Sequence, residues 1–137
     1  MRNFWLRVVQ ALAVAGSGGA IVPVPAAAQT PPVLRGGAIS ESDYPGEALA
    51  HRHQGRVVME LTIDPRGRTT GCRILETSGS PLLDRGSCDF WSRRMRYRAA
   101  RDADGRPAEG RVVQELAWMI DAPCPAMSQN GVCVTLD

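Results

Sequence analysis

The sequence has no lysine and is poor in aromatic residues and in histidine. All 16 of its basic residues are arginine, and they stand against 14 acidic residues for a net charge of +2. Aromatic residues make up only 5% of the chain. A charge balance this close to neutral excludes nucleic acid as an expected partner. The apolar content of 44% in 137 residues predicts one small folded domain.

The residue patterns of common active sites are also absent. No G-x-S-x-G motif surrounds Ser78 or Ser80, so the serines before the second helix are interpreted as caps rather than nucleophiles. His51 and His53 would point to different sides of a helix and would share a face only on an extended segment, so we expect a solvated pair rather than a metal site. The Asp-Ala-Asp-Gly run at Asp102 lacks the glutamate that a calcium loop needs at its twelfth position. The sequence therefore predicts no catalytic residue, no metal and no cofactor.

The N-terminus carries an apolar run that glycine and proline interrupt. Arg2 and Arg7 precede this run, and an alanine-rich site follows it, as in an exported protein. We expect residues 1–28 to be a cleaved signal peptide; the less favoured alternative is a retained membrane anchor. Residues 29–43 then form a linker without an apolar period.

Four cysteines in a short exported chain predict a disulfide framework. Three connectivities are open to four cysteines. Local spacing favours Cys72 with Cys88 and Cys124 with Cys133. A zinc site is disfavoured because no pair has the C-x-x-C spacing.

Periodicity between the linker and the tail indicates five elements. A short helix follows Tyr44 and Pro45 and stops near Gly55. Two alternating runs joined by Asp-Pro-Arg-Gly-Arg predict a β-hairpin. Ser80 and Pro81 are typical of a helix start, and the helix is expected to run to Arg98. A final strand places one set of side chains on the core face: Val112, Leu116, Trp118 and Ile120.

The order of these elements, α-β-β-α-β, predicts the α+β class. We expect a two-layer domain over residues 44–121, with helices packed on a three-stranded antiparallel sheet. Residues 122–137 form a tail closed by a disulfide. A sheet of this kind has edge strands, and an exposed edge is a template for an extended peptide.

The ordered motifs resemble the C-terminal domain of the TonB energy-transducer family. Tyr44-Pro45 stands before the first helix, and Gly55 opens a strand that ends in Asp-Pro-x-Gly. Ser78-Gly79 and Leu83-Asp84 stand at the second helix. The helix exit reads Tyr-Arg-Ala-Ala-Arg, and a Gly-x-Pro turn precedes the last strand. A cysteine-bearing form with Cys72 on a strand and Cys88 in the helix is similar to variants of that family.

The resemblance implies a periplasmic, non-enzymatic domain that grips a peptide segment of an outer-membrane TonB-dependent transporter. Such a peptide adds as a strand beside the last strand. The implied docking edge is therefore Val112, Val113, Gln114, Glu115, Leu116 and Ala117. Full transducers also link the transporter to an inner-membrane motor complex, and this link requires a retained anchor.

Two departures from that family bear on function. The linker of residues 29–43 reaches at most about 50 Å, and cleavage of residues 1–28 would remove the link to the motor complex. The alternative to peptide docking is a disulfide-stabilised structural or envelope-binding protein without a transport role.

Overall fold

A computed structural model describes residues 30–137, so the expected signal peptide, residues 1–28, lies outside the described residues. The α+β class is confirmed. The helices are α1 (Gly46–Ala50) and α2 (Pro81–Arg94), and a 3₁₀ turn spans Glu41–Asp43. The strands are β1 (Val33–Gly36), β2 (Gly55–Ile63), β3 (Thr69–Glu76), β4 (Arg96–Arg98), β5 (Ala100–Arg101), β6 (Pro107–Ala108), β7 (Gly110–Ile120) and β8 (Gly131–Leu136).

The main sheet contains four strands in the order β3-β2-β7-β8. The first three pair antiparallel, as the sequence predicts, but β8 pairs parallel to β7. The expected three-stranded antiparallel sheet is therefore a four-stranded mixed sheet. Val132, Val134 and Thr135 are β-branched, which favours a strand, although the sequence pattern predicts only a disulfide-closed tail here.

The β2–β3 hairpin turns as its sequence predicts. The Asp64 carboxylate accepts hydrogen bonds from the backbone amides of Arg66 and Arg68, each at 2.9 Å. Gly67 has φ +81°, and a Cβ there would collide with the carbonyl oxygen of Tyr97. Glycine is required at this position by both its conformation and its close contact with β4.

The second helix begins where expected and ends earlier than expected. Ser80 is the N-cap and accepts a hydrogen bond from the Leu83 amide, and Pro81 occupies the first turn. The helix ends at Arg94 rather than Arg98. After Arg94 the chain adopts an extended conformation, because the Tyr97 amide donates to the Gly67 carbonyl at 2.9 Å and β4 pairs with β1.

The core lies between α2 and the sheet, and two fully buried tryptophans fill its centre. The Trp118 indole donates to Ser87 at 2.9 Å, and Ser87 donates to the Leu83 carbonyl at 2.7 Å. The Trp91 indole donates to the Tyr97 hydroxyl at 2.6 Å. Each tryptophan thus buries a large apolar area while its one polar group stays hydrogen-bonded.

The segment expected to be a linker, residues 29–43, is structured over its described part. Val33 pairs with Arg98 and Leu34 with Tyr97 in a two-stranded sheet. Thr30 bridges to Arg101 through two backbone hydrogen bonds of 3.2 Å. The sequence pattern missed these pairings because β1 is short and all its residues are exposed.

Both expected disulfides form. Cys72 on β3 joins Cys88 on α2, with Cα atoms 5.8 Å apart. Cys124 joins Cys133 on β8, with Cα atoms 6.0 Å apart. The first crosses between the two layers of the domain, and the second closes the loop that returns the chain to the sheet.

Candidate docking edge

The edge expected to receive a peptide is divided into two parts. Along β7, the stretch Glu115–Ile120 pairs with Gly131–Leu136 of the same chain. Within the part of the chain that the structure describes, Val112–Gln114 pair with β2 on one side and with no strand on the other. The expected edge Val112–Ala117 is thus unoccupied in its first half, whereas β8 covers Glu115, Leu116 and Ala117.

Two side chains at the boundary hold the turn that leads into β8. The Gln114 amide nitrogen donates to the carbonyl oxygen of Asn130. The Glu115 carboxylate accepts a hydrogen bond of 2.8 Å from the Ser128 amide and one of 2.6 Å from the Arg56 guanidinium. Gln114 and Glu115 are each only 5% exposed. The adjacent side chains thus tie β7 to the start of β8.

The electrostatics of Glu115 agree with this role. Hydrogen bonds from Ser128 are the main cause that lowers the pKa of Glu115 to about 2, and the Arg56 guanidinium adds to them. The carboxylate therefore stays ionised at neutral pH and accepts from both partners. Arg56 also contacts Glu76 at 2.7 Å, so one guanidinium bridges β3 and β7 across β2.

A groove of about 410 Å³ opens beside the unoccupied half of β7. Its floor includes Val112 and Gln114, and one wall is formed by β1 and Tyr97. The other wall is the start of β8 and the turn before it, residues 129–132. Val33 and Leu34 of β1 are 45% and 43% exposed, so part of this wall is apolar. The groove thus lies next to the only part of the outer side of β7 that has no paired strand among the described residues.

The Tyr-Pro motif lies in the core and away from this edge. Tyr44 is 5% exposed, and its ring meets Trp118 edge to face at 5.1 Å. Its hydroxyl donates to the His53 carbonyl at 2.6 Å, and burial raises the pKa of Tyr44. A Cβ added at Gly86 of α2 would collide with Pro45, so the residue just before α1 packs closely against α2. Tyr44 and Pro45 therefore fix α1 to the core.

The structure brings His53 and Ser80 together, which the sequence did not predict. His53 Nδ1 lies 2.8 Å from Ser80 Oγ, so this histidine is not the solvated residue that was expected. Ser80 is 5% exposed and already accepts from the Leu83 amide as the N-cap. Ser78 donates to Asp84 at 2.7 Å. These contacts fasten α1 and the β3–α2 turn to the start of α2, and they are structural.

No cluster of three or more metal-ligating side chains occurs among residues 30–137. In the same range, no helix is both long and apolar enough to cross a bilayer.

Comparison with known proteins identifies the family. Residues 40–120 match the family described as "Gram-negative bacterial TonB protein C-terminal". The chain belongs to this family. A solved structure, the solution NMR structure of the Pseudomonas aeruginosa TonB C-terminal domain, is 22% identical with a TM-score of 0.48. That match covers 63% of this chain and 83% of the other. No curated protein matches the chain.

The sequence did not reveal the residues that hold the turn before β8 against β7. Gln114, Ser128 and Asn130 act through contacts between β7 and a turn that lies 13 or more residues further along the chain. One sequence feature did point to them: Gln114 shares its face with Leu116, Trp118 and Ile120, where a polar residue needs a buried partner.

Proposed function

We propose that this chain is a periplasmic TonB-type domain that binds a peptide segment of an outer-membrane TonB-dependent transporter by adding it as a strand to β7. Membership of the TonB C-terminal family supports a role in transport. The domain acts as a binding module and not as an enzyme. The expected edge, Val112–Ala117, remains the proposed site, and the division of this edge by β8 sets how it is used.

The observation that carries the proposal is the parallel pairing of β8 on β7. Six residues of the chain's own tail, Gly131–Leu136, follow Glu115–Ile120 in unbroken register. The outer side of β7 therefore has the geometry to receive a parallel strand. A peptide of similar length offers the same backbone hydrogen bonds, so it can take the place of β8 on β7 when an apolar side chain fills the position of Val134 in the core.

We infer that the peptide first pairs with the unoccupied backbone of Val112–Gln114. It then extends past Glu115 as the start of β8 leaves β7. This step breaks the contacts of Gln114 with Asn130 and of Glu115 with Ser128. When the peptide replaces β8, the number of backbone hydrogen bonds to β7 stays nearly constant. The affinity for the peptide therefore depends on side-chain contacts and on how stably β8 is bound to β7.

A titration with a transporter N-terminal peptide, followed by backbone amide shifts, tests the proposal. We expect shifts along Val112–Ala117 and along Gly131–Leu136, with little change on β3. A variant shortened after Asp121 should bind the same peptide more tightly, because β8 no longer competes. The absence of shifts on both strands in both forms would contradict docking at β7.

The second candidate is a structural or envelope-binding protein without a transport role. The pairing of β8 with half of the expected edge favours this second candidate. The same titration separates the two, since a purely structural domain keeps β8 in place and binds no transporter peptide.

Coupling to an inner-membrane motor complex requires that residues 1–28 remain attached. Cell fractionation decides this point. Full-length protein in the inner membrane supports an anchored transducer, whereas a mature form that begins near Gln29 in the periplasm supports an exported module.

A further inference from the structure

A second cleft adjoins the groove beside β7. It has a volume of about 370 Å³ and is lined by Pro31, Arg98, Ala99 and Arg101, among others. Val33 lines both this cleft and the groove, so the two are neighbours along β1. A chain that lies over Val112 and passes Val33 therefore reaches two arginines.

Most arginines at this end of the molecule have no ion-pair partner among residues 30–137. Residues 93–101 contain five arginines and no acidic residue, and residues 30–40 contain one arginine and no acidic residue. Of these six, only Arg94 has an ion pair in the described structure, with Asp43 at 3.3 Å. By contrast, arginines on the main sheet are paired with glutamates. Arg98 and Arg101 beside the cleft thus form no ion pair among the described residues, and the nearest carboxylates in the sequence are those of Asp102 and Asp104, which follow Arg101.

The two cavities differ in the chemistry they offer. Beside β7 a ligand meets unpaired backbone, apolar side chains of β1 and the amides of Gln129 and Asn130. Next to Arg98 it meets guanidinium groups, of which Arg101 also donates to the Gly105 carbonyl at 2.6 Å. An extended peptide supplies backbone and apolar side chains to the first cavity and carboxylates to the second. Charge complementarity favours this occupant.

We propose that the groove and the arginine-lined cleft form one site for an acidic extended peptide, with the carboxylates held by Arg98 and Arg101. This inference rests on the proposed function and names the chemistry of its partner. The segment that pairs with β7 is apolar or neutral, and the acidic side chains flank it at the end that passes Val33. The arginines give specificity for an acidic partner and raise its association rate, and the backbone of β7 forms the hydrogen bonds that keep it bound.

The probes are a transporter N-terminal peptide with acidic flanking residues and a twin in which each Asp is Asn and each Glu is Gln. The protein variants are Arg98→Gln and, as a matched control, Arg85→Gln. Arg85 is an exposed arginine on α2 and has no carboxylate partner in the described structure. Arg98 lies on the exposed side of β4, so its substitution leaves the core unchanged.

We expect Arg98→Gln to weaken the acidic peptide about two- to fivefold at low salt, since exposed charge pairs contribute little individually. The double change Arg98→Gln with Arg101→Gln should weaken it about tenfold, and high salt should remove both effects. Arg85→Gln should change nothing. The neutral twin should bind more weakly and should not respond to Arg98→Gln.

Each other outcome contradicts the inference in a distinguishable way. Equal binding of both peptides, unaffected by Arg98→Gln, overturns the acidic site but leaves docking at β7 standing. Equal losses from Arg98→Gln and Arg85→Gln indicate unspecific attraction. Binding of anionic lipid vesicles through Arg98, without binding of the acidic peptide, makes the cleft a lipid-facing surface. If neither peptide binds, the inference fails together with the proposed function.

Discussion

The two disulfides lie in regions of different character. Cys72 and Cys88 are partly buried and pack against the core, where they join β3 to α2. Cys124 is exposed, and its bond to Cys133 closes a loop at the rim of the sheet. The first bond connects two layers that are already held by Trp91 and Leu83. The second holds a strand whose place, on our account, is contested by a partner.

Because of this difference, we expect the two disulfides to affect different properties: the global stability of the domain and the local opening of β8 from β7. A cross-link within a cooperative core raises the free energy of global unfolding, because it restricts the unfolded chain. A cross-link that closes a peripheral strand acts on local opening, which occurs below the global free energy. We therefore expect the core disulfide to control whether the domain folds and the tail disulfide to control how easily β8 leaves β7.

The largest effect should follow loss of the core disulfide. The double change Cys72→Ser with Cys88→Ser should lower the free energy of unfolding by about 3 kcal/mol, as the chain-entropy model gives for a loop of this length. Urea unfolding followed by tryptophan fluorescence measures this. Cys124→Ser with Cys133→Ser is the matched control, and a loss there as large as in the core would erase the distinction.

The next effect concerns access to the edge. Cys124→Ser with Cys133→Ser should tighten binding of a transporter N-terminal peptide about tenfold, because a looser β8 opens more often and the competent state is more populated. Global stability should change by less than about 1 kcal/mol. Isothermal titration of the oxidised wild type and of the double variant, in which the core disulfide is intact, measures this. Unchanged or weaker binding in the variant would show that β8 does not compete.

A smaller effect is expected from the carboxylate that ties the tail to β7. Glu115→Gln should destabilise the domain by about 1 kcal/mol at pH 7, through loss of charge-assisted hydrogen bonds. The native pKa of about 2 lies below the ordinary 4.5, so the contribution of Glu115 is full above about pH 4.5 and is lost as the pH falls toward 2. Thermal unfolding at pH 7 and pH 2.5 measures this, and a difference between the two proteins that does not shrink at pH 2.5 would argue against the role of the charge.

The smallest effect should come from the exposed ion pair at the start of the tail. Arg52 contacts Asp121 at 2.8 Å, and both side chains are more than half exposed, at 67% and 60%. Asp121→Asn should cost less than about 0.5 kcal/mol, since exposed pairs contribute little and asparagine accepts the positive φ of 50°. Urea unfolding decides this, and a loss above 1 kcal/mol would mean that the β7–tail junction belongs to the cooperative core.

The sequence could predict the elements that repeat a strong local pattern. Alternation gave β2, β3 and β7, the Ser80-Pro81 pair gave the start of α2, and local spacing gave both disulfides. These features depend on residues near one another in the chain. The end of α2 was placed at Arg98 because arginines suit both a helix end and an exposed strand, and only the contact with Gly67 decides between them.

The parts that the sequence could not predict depend on distant pairing. β1 pairs with β4 and β8 pairs with β7 through backbone groups that any sequence carries, and both strands are short. The candidate site lies between these two strands. Its position on β7 stays a prediction that the family resemblance implies, whereas the pairing of β8 with half of that edge could not be predicted from the sequence.

Hydrogen exchange on β7 and β8, with and without a transporter N-terminal peptide, tests the exchange of strands most directly. We expect slower exchange at Val112–Gln114 when the peptide is bound, because their outer backbone becomes paired. We also expect faster exchange at Gly131–Leu136, because β8 leaves the sheet. Unchanged or slower exchange along Gly131–Leu136, with no protection gained at Val112–Gln114, would contradict the replacement of β8 by the peptide.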